Sequence, residues 1–295
     1  MKKGILFSAS AYVLWGFFPI YFKALYNVPA AQILAHRVVW SFLFLAAFLL
    51  ARQEITALLK AISRRILLIY LTAGVLLGVN WLTYVWAVND GRVVESSLGY
   101  FINPLVSVLL GVIFLRERLR TMQWAPVGLA AAGVAYLTIR FGQLPWVALV
   151  LAFTFGFYGL FKKIAPLGAR QGLLLETALI CLPMFLYLIF AEFNGSGVFL
   201  RSSSLTSLLL ALSGLVTIIP LLLFAAGAQL IPLTIIGLLQ YIAPTLQFLI
   251  GVLLYNEPFT LSSAIGFGFI WLALILFSLE SYIHNQRSLH PHPIH

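Results

Sequence analysis

Charged residues are scarce in this sequence. Of 295 residues, 9% are Asp, Glu, Lys or Arg, against about 25% in a soluble domain. A water-facing surface cannot be built from so few, and a mean hydropathy of +1.03 puts the chain in the membrane class. Cysteine is scarcer still. The single Cys181 excludes an intrachain disulfide and argues against a cysteine-based metal site. The formal charge of +10 is not the footprint of a nucleic-acid binder. It sits in short gaps between apolar runs, where the positive-inside rule puts it. H-E-x-x-H, a P-loop and G-x-S-x-G are also missing. Hydrolytic and redox catalysis therefore have no support. The chain is expected to be no enzyme, to use no cofactor or metal, and to draw energy from an ion or solute gradient rather than from its own ATP hydrolysis.

Long apolar runs are abundant. A spanning helix needs about 20 mainly apolar residues. Ten such segments can be placed, at roughly 5–25, 32–51, 66–88, 93–115, 121–139, 144–164, 171–191, 205–230, 233–255 and 261–282. The opening "MKKGILFSASAYVLWGFFPIYF" reads as the first of them, because no small-residue cleavage site closes it. The runs are continuous rather than alternating, which selects helices over a β-barrel. The longest polar gaps, "RQEITALLKAISRR" and "EFNGSGVFLRSSS", are too short for a folded domain. With the amino terminus inside, 13 loop cations, Lys162 among them, fall on the inner side and 4 on the outer. Both termini are therefore expected in the cytoplasm.

Shifting the chain by 140 residues superposes it on itself. "WGFFPIYFK" meets "FGFYGLFKK", and "YFINPLVSVLLGV" meets "QYIAPTLQFLIGV". Gly16/Gly156, Gly74/Gly214, Pro104/Pro244, Gly111/Gly251 and Glu117/Glu257 carry the weight, since apolar matches mean little in this composition. Five spans per half is an odd number, so the halves have opposite orientations. The expectation is an all-α integral membrane protein of ten transmembrane helices. It comprises a first five-helix repeat (1–140), a second, inverted five-helix repeat (141–283) and a polar cytoplasmic tail (284–295). Inverted repeats are common in secondary transporters, whose substrate sites lie near the midplane between them.

Polar groups inside spans should turn away from lipid. Tyr100, Asn103 and Ser107 recur at helical spacing, with Gln240 and Gln247 at the corresponding stretch of the second half. Tyr12, Trp15 and Pro19 form a stripe; Asn80 and Tyr84 are four apart with Trp81 beside them; His36 and Trp40 share a face with Arg37 adjacent. The candidate substrate-binding set is Trp15, His36, Arg37, Trp40, Asn80, Trp81, Tyr84, Tyr100, Asn103, Gln240 and Tyr241. Aromatic area with a few polar handles suits organic solutes. Interhelical hydrogen bonding and interfacial anchoring use the same residue types. His36 and Glu176 are ionisable groups inside spans and are the proton-coupling candidates. Pro104, Pro220 and Pro244 are the expected helix bends. Glu117 and Glu257 close spans four and nine and read as shared turn architecture, with Thr121 as an amino-cap of the next helix.

These residues have a familiar arrangement. "AYVLWGFFPIYFKAL", "AHRVVWS", "NWLTYVWAVN", "ESSLGYFINPLVSVLLGVIFLRERL" and "QYIAPTLQFLIGV" resemble the EamA-domain branch of the drug/metabolite transporter superfamily, and its RarD-type members in particular. The resemblance implies a multi-pass permease of the bacterial inner membrane with a central cavity. Relatives in the superfamily export amino acids and other metabolites, and RarD-type proteins are linked by name to chloramphenicol sensitivity. The expected function is secondary-active transport of small organic solutes such as drugs, amino acids or related metabolites, outward, by alternating access. A passive facilitator or channel, or an uptake carrier, is the alternative. The expected partners are a small-molecule substrate, the lipid bilayer and a coupling proton or other ion, with no nucleic acid.

Overall fold

The computed structural model describes residues 1–89, 93–142, 144–255 and 261–289. Its regular structure among them is helical: α1 (Lys2–Gly16), α2 (Phe18–Lys23), α3 (Ala30–Ala51), α4 (Ile55–Ala61), α5 (Arg64–Asn89), α6 (Val93–Phe114) and α7 (Trp124–Phe141). The chain continues through α8 (Trp146–Ile164), α9 (Ala169–Phe193), α10 (Ser204–Leu230), α11 (Leu233–Leu239), α12 (Ile242–Leu254) and α13 (Leu261–Leu289). Each of the ten expected apolar segments is helical. Eight helical segments are long and apolar enough to cross a membrane, and shorter apolar stretches run over Leu98–Phe114 and Ala264–Phe277. Large apolar side chains on the outside, such as Leu50, Ile139, Phe190 and Leu253, are exposed. Water would penalise that surface and hydrocarbon does not.

The first and ninth segments differ from the continuous helices expected. Phe17 separates α1 from α2, and Gln240 and Tyr241 separate α11 from α12. Proline explains where the chain restarts. Pro19 falls at the second position of α2 and Pro244 at the third of α12, where the new helix makes no use of the N–H that proline lacks. Pro104 and Pro220 behave differently. They lie inside α6 and α10, which run on without a break, as does α9 through Pro183. Thr121, expected as an amino-cap, instead begins a 3₁₀ turn over Thr121–Gln123, in which the Arg120 N–H donates to Gln123 Oε1 at 3.0 Å. Helix α13 runs on to Leu289, past the start of the expected tail; residues 290–295 and Glu257 lie outside the described residues.

Packing centres on α10, which lies against α1 and α3, and on α6, which lies against α8 and α11. Helix α9 covers α3 and α5. Glycine sets the closest approach. A Cβ on Gly214 would lie 2.6 Å from the Trp40 carbonyl carbon, so α3 and α10 nearly touch backbone to backbone. Helices α7 and α13 pair at the side of the molecule, where Ala130, Val134 and Ala273 share a small core with Phe101 and Tyr241.

Candidate functional site

The breaks and the close crossings leave a cavity of about 220 Å³ among the helices. Helices α1 and α2 supply Tyr12, Trp15, Phe18, Pro19 and Phe22; α3 supplies Arg37; α5 supplies Asn80, Trp81 and Tyr84. Helix α6 adds Tyr100 and Asn103, α8 adds Phe155, and the α11–α12 segment adds Gln240, Ala243, Pro244 and Gln247. Aromatic side chains are the largest class in its walls, and its polar groups are few and convergent, as in small-molecule sites generally. Eight of the eleven expected contact residues meet here: Trp15, Arg37, Asn80, Trp81, Tyr84, Tyr100, Asn103 and Gln240. Phe18, Phe22 and Phe155 were not on that list. Phenylalanine gives no polar signal in an apolar helix, so only the fold identifies it as a wall.

The polar groups are held by neighbours rather than left to swing. Asn80 Nδ2 donates to the Leu151 carbonyl and to Thr154 Oγ1, both at 2.9 Å, which ties α5 to α8. Ser107 Oγ lies 3.4 Å from Asn103 Oδ1 and 3.3 Å from Gln240 Oε1, so one hydroxyl proton is shared between two amides. Tyr84 and Tyr100 meet edge to face, 5.9 Å between centroids. Arg37 donates from Nε to Thr217 Oγ1 at 2.9 Å, and its guanidinium lies 4.5 Å from the Trp81 ring. The rings of Phe22 and Phe18 stand at 5.4 and 5.8 Å from it.

The break in the first segment has a direct consequence at the cavity. Pro19 has no N–H, so the Trp15 carbonyl lacks its helical donor. Gln247 Nε2 donates to that carbonyl at 3.0 Å. Below Trp15, the rings of Tyr12, Phe155, Tyr158 and Phe224 form a continuous cluster with centroid separations of 5.4–6.1 Å. Tyr12, Trp15 and Phe155 of this cluster line the cavity, and Tyr158 and Phe224 pack behind them. The same end is cross-linked by polar contacts. Glu117 accepts the Leu233 and Thr234 N–H groups at 2.7 and 2.9 Å, capping α11 from the end of α6. Lys163 Nζ donates to the Ile231 carbonyl at 2.7 Å, and Gln229 Nε2 to the Leu167 carbonyl at 2.9 Å.

Three expected contact residues lie elsewhere. His36 and Trp40 line a separate groove of about 630 Å³ between α3, α9 and the segment before α10, with Phe199 5.0 Å from the His36 ring. Tyr241 is fully buried in the small α7–α13 core, where its hydroxyl donates to the Phe101 carbonyl at 3.3 Å. Glu176 also stands away from the cavity. It forms a buried ion pair with Lys162, Nζ to Oε1 2.7 Å, and accepts from the Tyr158 hydroxyl at 3.3 Å. Lys162, counted above with the loop cations, is thus a core residue near the end of α8, and the count becomes 12 against 4. His36 and Glu176 belong to different clusters and do not meet. Among the described residues there is no group of three His, Cys, Asp or Glu able to hold a metal.

Comparison with known proteins agrees with this picture. Residues 2–139 match the model of the EamA-like transporter family. The chain is 48% identical to the Uncharacterized transporter YojE of Bacillus subtilis (strain 168), over 95% of this chain and 94% of that one. It is 43% identical to Protein RarD of Escherichia coli (strain K12), over 97% of each. A solved crystal structure aligns with a TM-score of 0.70 over 94% of this chain and 98% of its own, at 19% identity, a likeness of fold alone.

Proposed function

The chain belongs to the EamA-like transporter family, together with the RarD proteins, and on that premise we propose that this multi-pass membrane protein is a secondary carrier that exports small organic solutes by alternating access around the aromatic cavity. One observation carries the reading: the cavity draws walls from both halves of the chain, with a cluster of aromatic rings packed beneath it. The rings themselves part at little cost in hydrogen bonds, while the contacts of Glu117, Lys163 and Gln229 at the same end must break or travel with their helices when it opens. In the proposed topology, ten helices cross the bacterial inner membrane as two inverted repeats, residues 1–140 and 141–283, with both termini cytoplasmic. In that topology the end carrying the ring cluster faces the cytoplasm. Neither His36 nor Glu176 lines the cavity. A coupling proton taken at either acts through the helices and not on the solute.

A thermal-shift screen of amino acids, drugs and metabolites on the purified protein identifies ligands, since a ligand that binds the folded state raises its apparent stability. Hits are then followed in proteoliposomes. The expected result is saturable counterflow that weakens in Asn103→Ala. Ion or solute conductance without saturation or counterflow would make the protein a channel and overturn the carrier reading.

A further inference from the structure

Arg37 is the one charged side chain among the described residues that line the cavity. A guanidinium at such depth ordinarily has a carboxylate beside it. Among the described residues no carboxylate lies within ion-pair distance of this one. Thr217 satisfies only Nε, and the aromatic rings hold the group by its face. Its two terminal nitrogens form the flat fork that matches a carboxylate with two parallel hydrogen bonds. They have no hydrogen-bond partner among the described residues.

A second observation concerns the floor. Tyr12 Oη and Gln240 Nε2 line the same cavity and are buried with no partner but each other. The donors such a pair leaves unused mark a place where a water or a ligand completes the set. The cavity thus offers an unneutralised cation on one wall, unsatisfied polar groups on its floor and aromatic surface between. A phosphate at neutral pH carries up to two charges and would want a second cation, which the described lining lacks.

We propose that the solute carries a single carboxylate, taken bidentately by Arg37, on an aromatic or aliphatic body packed between Trp15, Trp81 and Phe155. This rests on the carrier reading for its meaning in transport. The ion pair itself is testable separately. Benzoate, phenylacetate, indole-3-acetate and hexanoate are titrated against the purified protein beside their primary amides, with phenyl phosphate as the dianion control. Tryptophan fluorescence reports occupancy, because Trp15 and Trp81 line the cavity. At least one acid should bind saturably and at least tenfold more tightly than its amide and than phenyl phosphate. Arg37→Gln should erase that preference, and Arg37→Lys should keep part of it. Equal binding of acid and amide, tighter binding of phenyl phosphate, undiminished acid binding in Arg37→Gln, or no saturable response to any acid overturns the proposal.

A measurement on intact Arg37 guards against misfolding of its variants. In Cys181→Ser/Asn103→Cys, an anionic methanethiosulfonate should label Cys at 103 faster than a cationic one, relative to their rates with a free thiol. The reverse order overturns the proposal. Acid binding that depends on Arg37 without counterflow would remove the carrier reading and leave this one standing. Counterflow of neutral solutes alone would do the opposite.

Discussion

Replacing Lys162 by methionine strands a buried charge, and its cost can be worked from the geometry. Nζ of Lys162 and Oε1 of Glu176 are 2.7 Å apart, with side chains 2% and 1% exposed. At an effective dielectric of about 20, opposite unit charges at that distance attract by roughly 6 kcal/mol. Desolvation of both groups offsets much of this, so the intact pair contributes little net stability. Lys162→Met removes the attraction and keeps the desolvation of Glu176, leaving the Tyr158 hydroxyl at 3.3 Å as its described donor. The expected loss is about 3–5 kcal/mol. Glu176→Leu strands the ammonium instead and should cost a similar amount. The double variant strands neither charge and should return to within about 1 kcal/mol of the parent. Reversible denaturant titrations in micelles, read by tryptophan fluorescence, complete the double-mutant cycle. A single-variant loss below about 1 kcal/mol, or a double variant as unstable as the two singles summed, would refute the reasoning.

Other substitutions separate tight from loose positions. Gly214→Ala should destabilise by about 1–3 kcal/mol, since its Cβ would meet α3 backbone at 2.6–2.7 Å. Gly74→Ala, whose nearest neighbour is 3.5 Å away, should be neutral or stabilising by up to about 1 kcal/mol; the thermal midpoints of the pair decide this. Glu117→Ala should cost about 1–2 kcal/mol, and hydrogen exchange should quicken at the Leu233 and Thr234 amides. Glu117→Gln should recover only part, because a carboxamide offers one acceptor oxygen to two donors. Once a ligand is in hand, isothermal titration should show weaker binding in Asn80→Ala and Asn103→Ala, with His36→Ala and Trp40→Ala within twofold of the parent. The opposite ranking would move the site to the second groove.

The ten apolar segments were legible because hydropathy is summed over long windows and tolerates local irregularity. The breaks at Phe17 and at Gln240–Tyr241 were not. Whether a helix ends at a proline depends on whether its orphaned carbonyl finds another donor, and for Trp15 that donor is 232 residues away. Helical spacing brought Asn80, Tyr84, Tyr100 and Asn103 to one cavity, because a lipid-facing amide would have no partner. The same spacing grouped His36 with Trp40 correctly but could not say which neighbour their face meets. Helix α3 packs on both α9 and α10, and Arg37, one residue on, turns toward the other side. Lys162 read as a loop cation because it sits beside Lys163 at a span end. Its partner Glu176 lies on α9, which packs on α3 and α5 rather than along α8, so only the assembled bundle brings the two together.

The Trp15 carbonyl has a further bearing, on when the molecule can be finished. The Leu167 carbonyl takes the Tyr70 hydroxyl, the Phe101 carbonyl takes Tyr241, and the Glu117 carboxylate waits for the Leu233 and Thr234 amides. Each bond joins the earlier part of the chain to the later. Residue 247 supplies the donor that residue 15 lacks. During synthesis the first segment therefore reaches the bilayer with an unfinished backbone. It stays unfinished until residue 247, 232 positions further on, has left the ribosome. A helix made before the others described here is among the last to be completed.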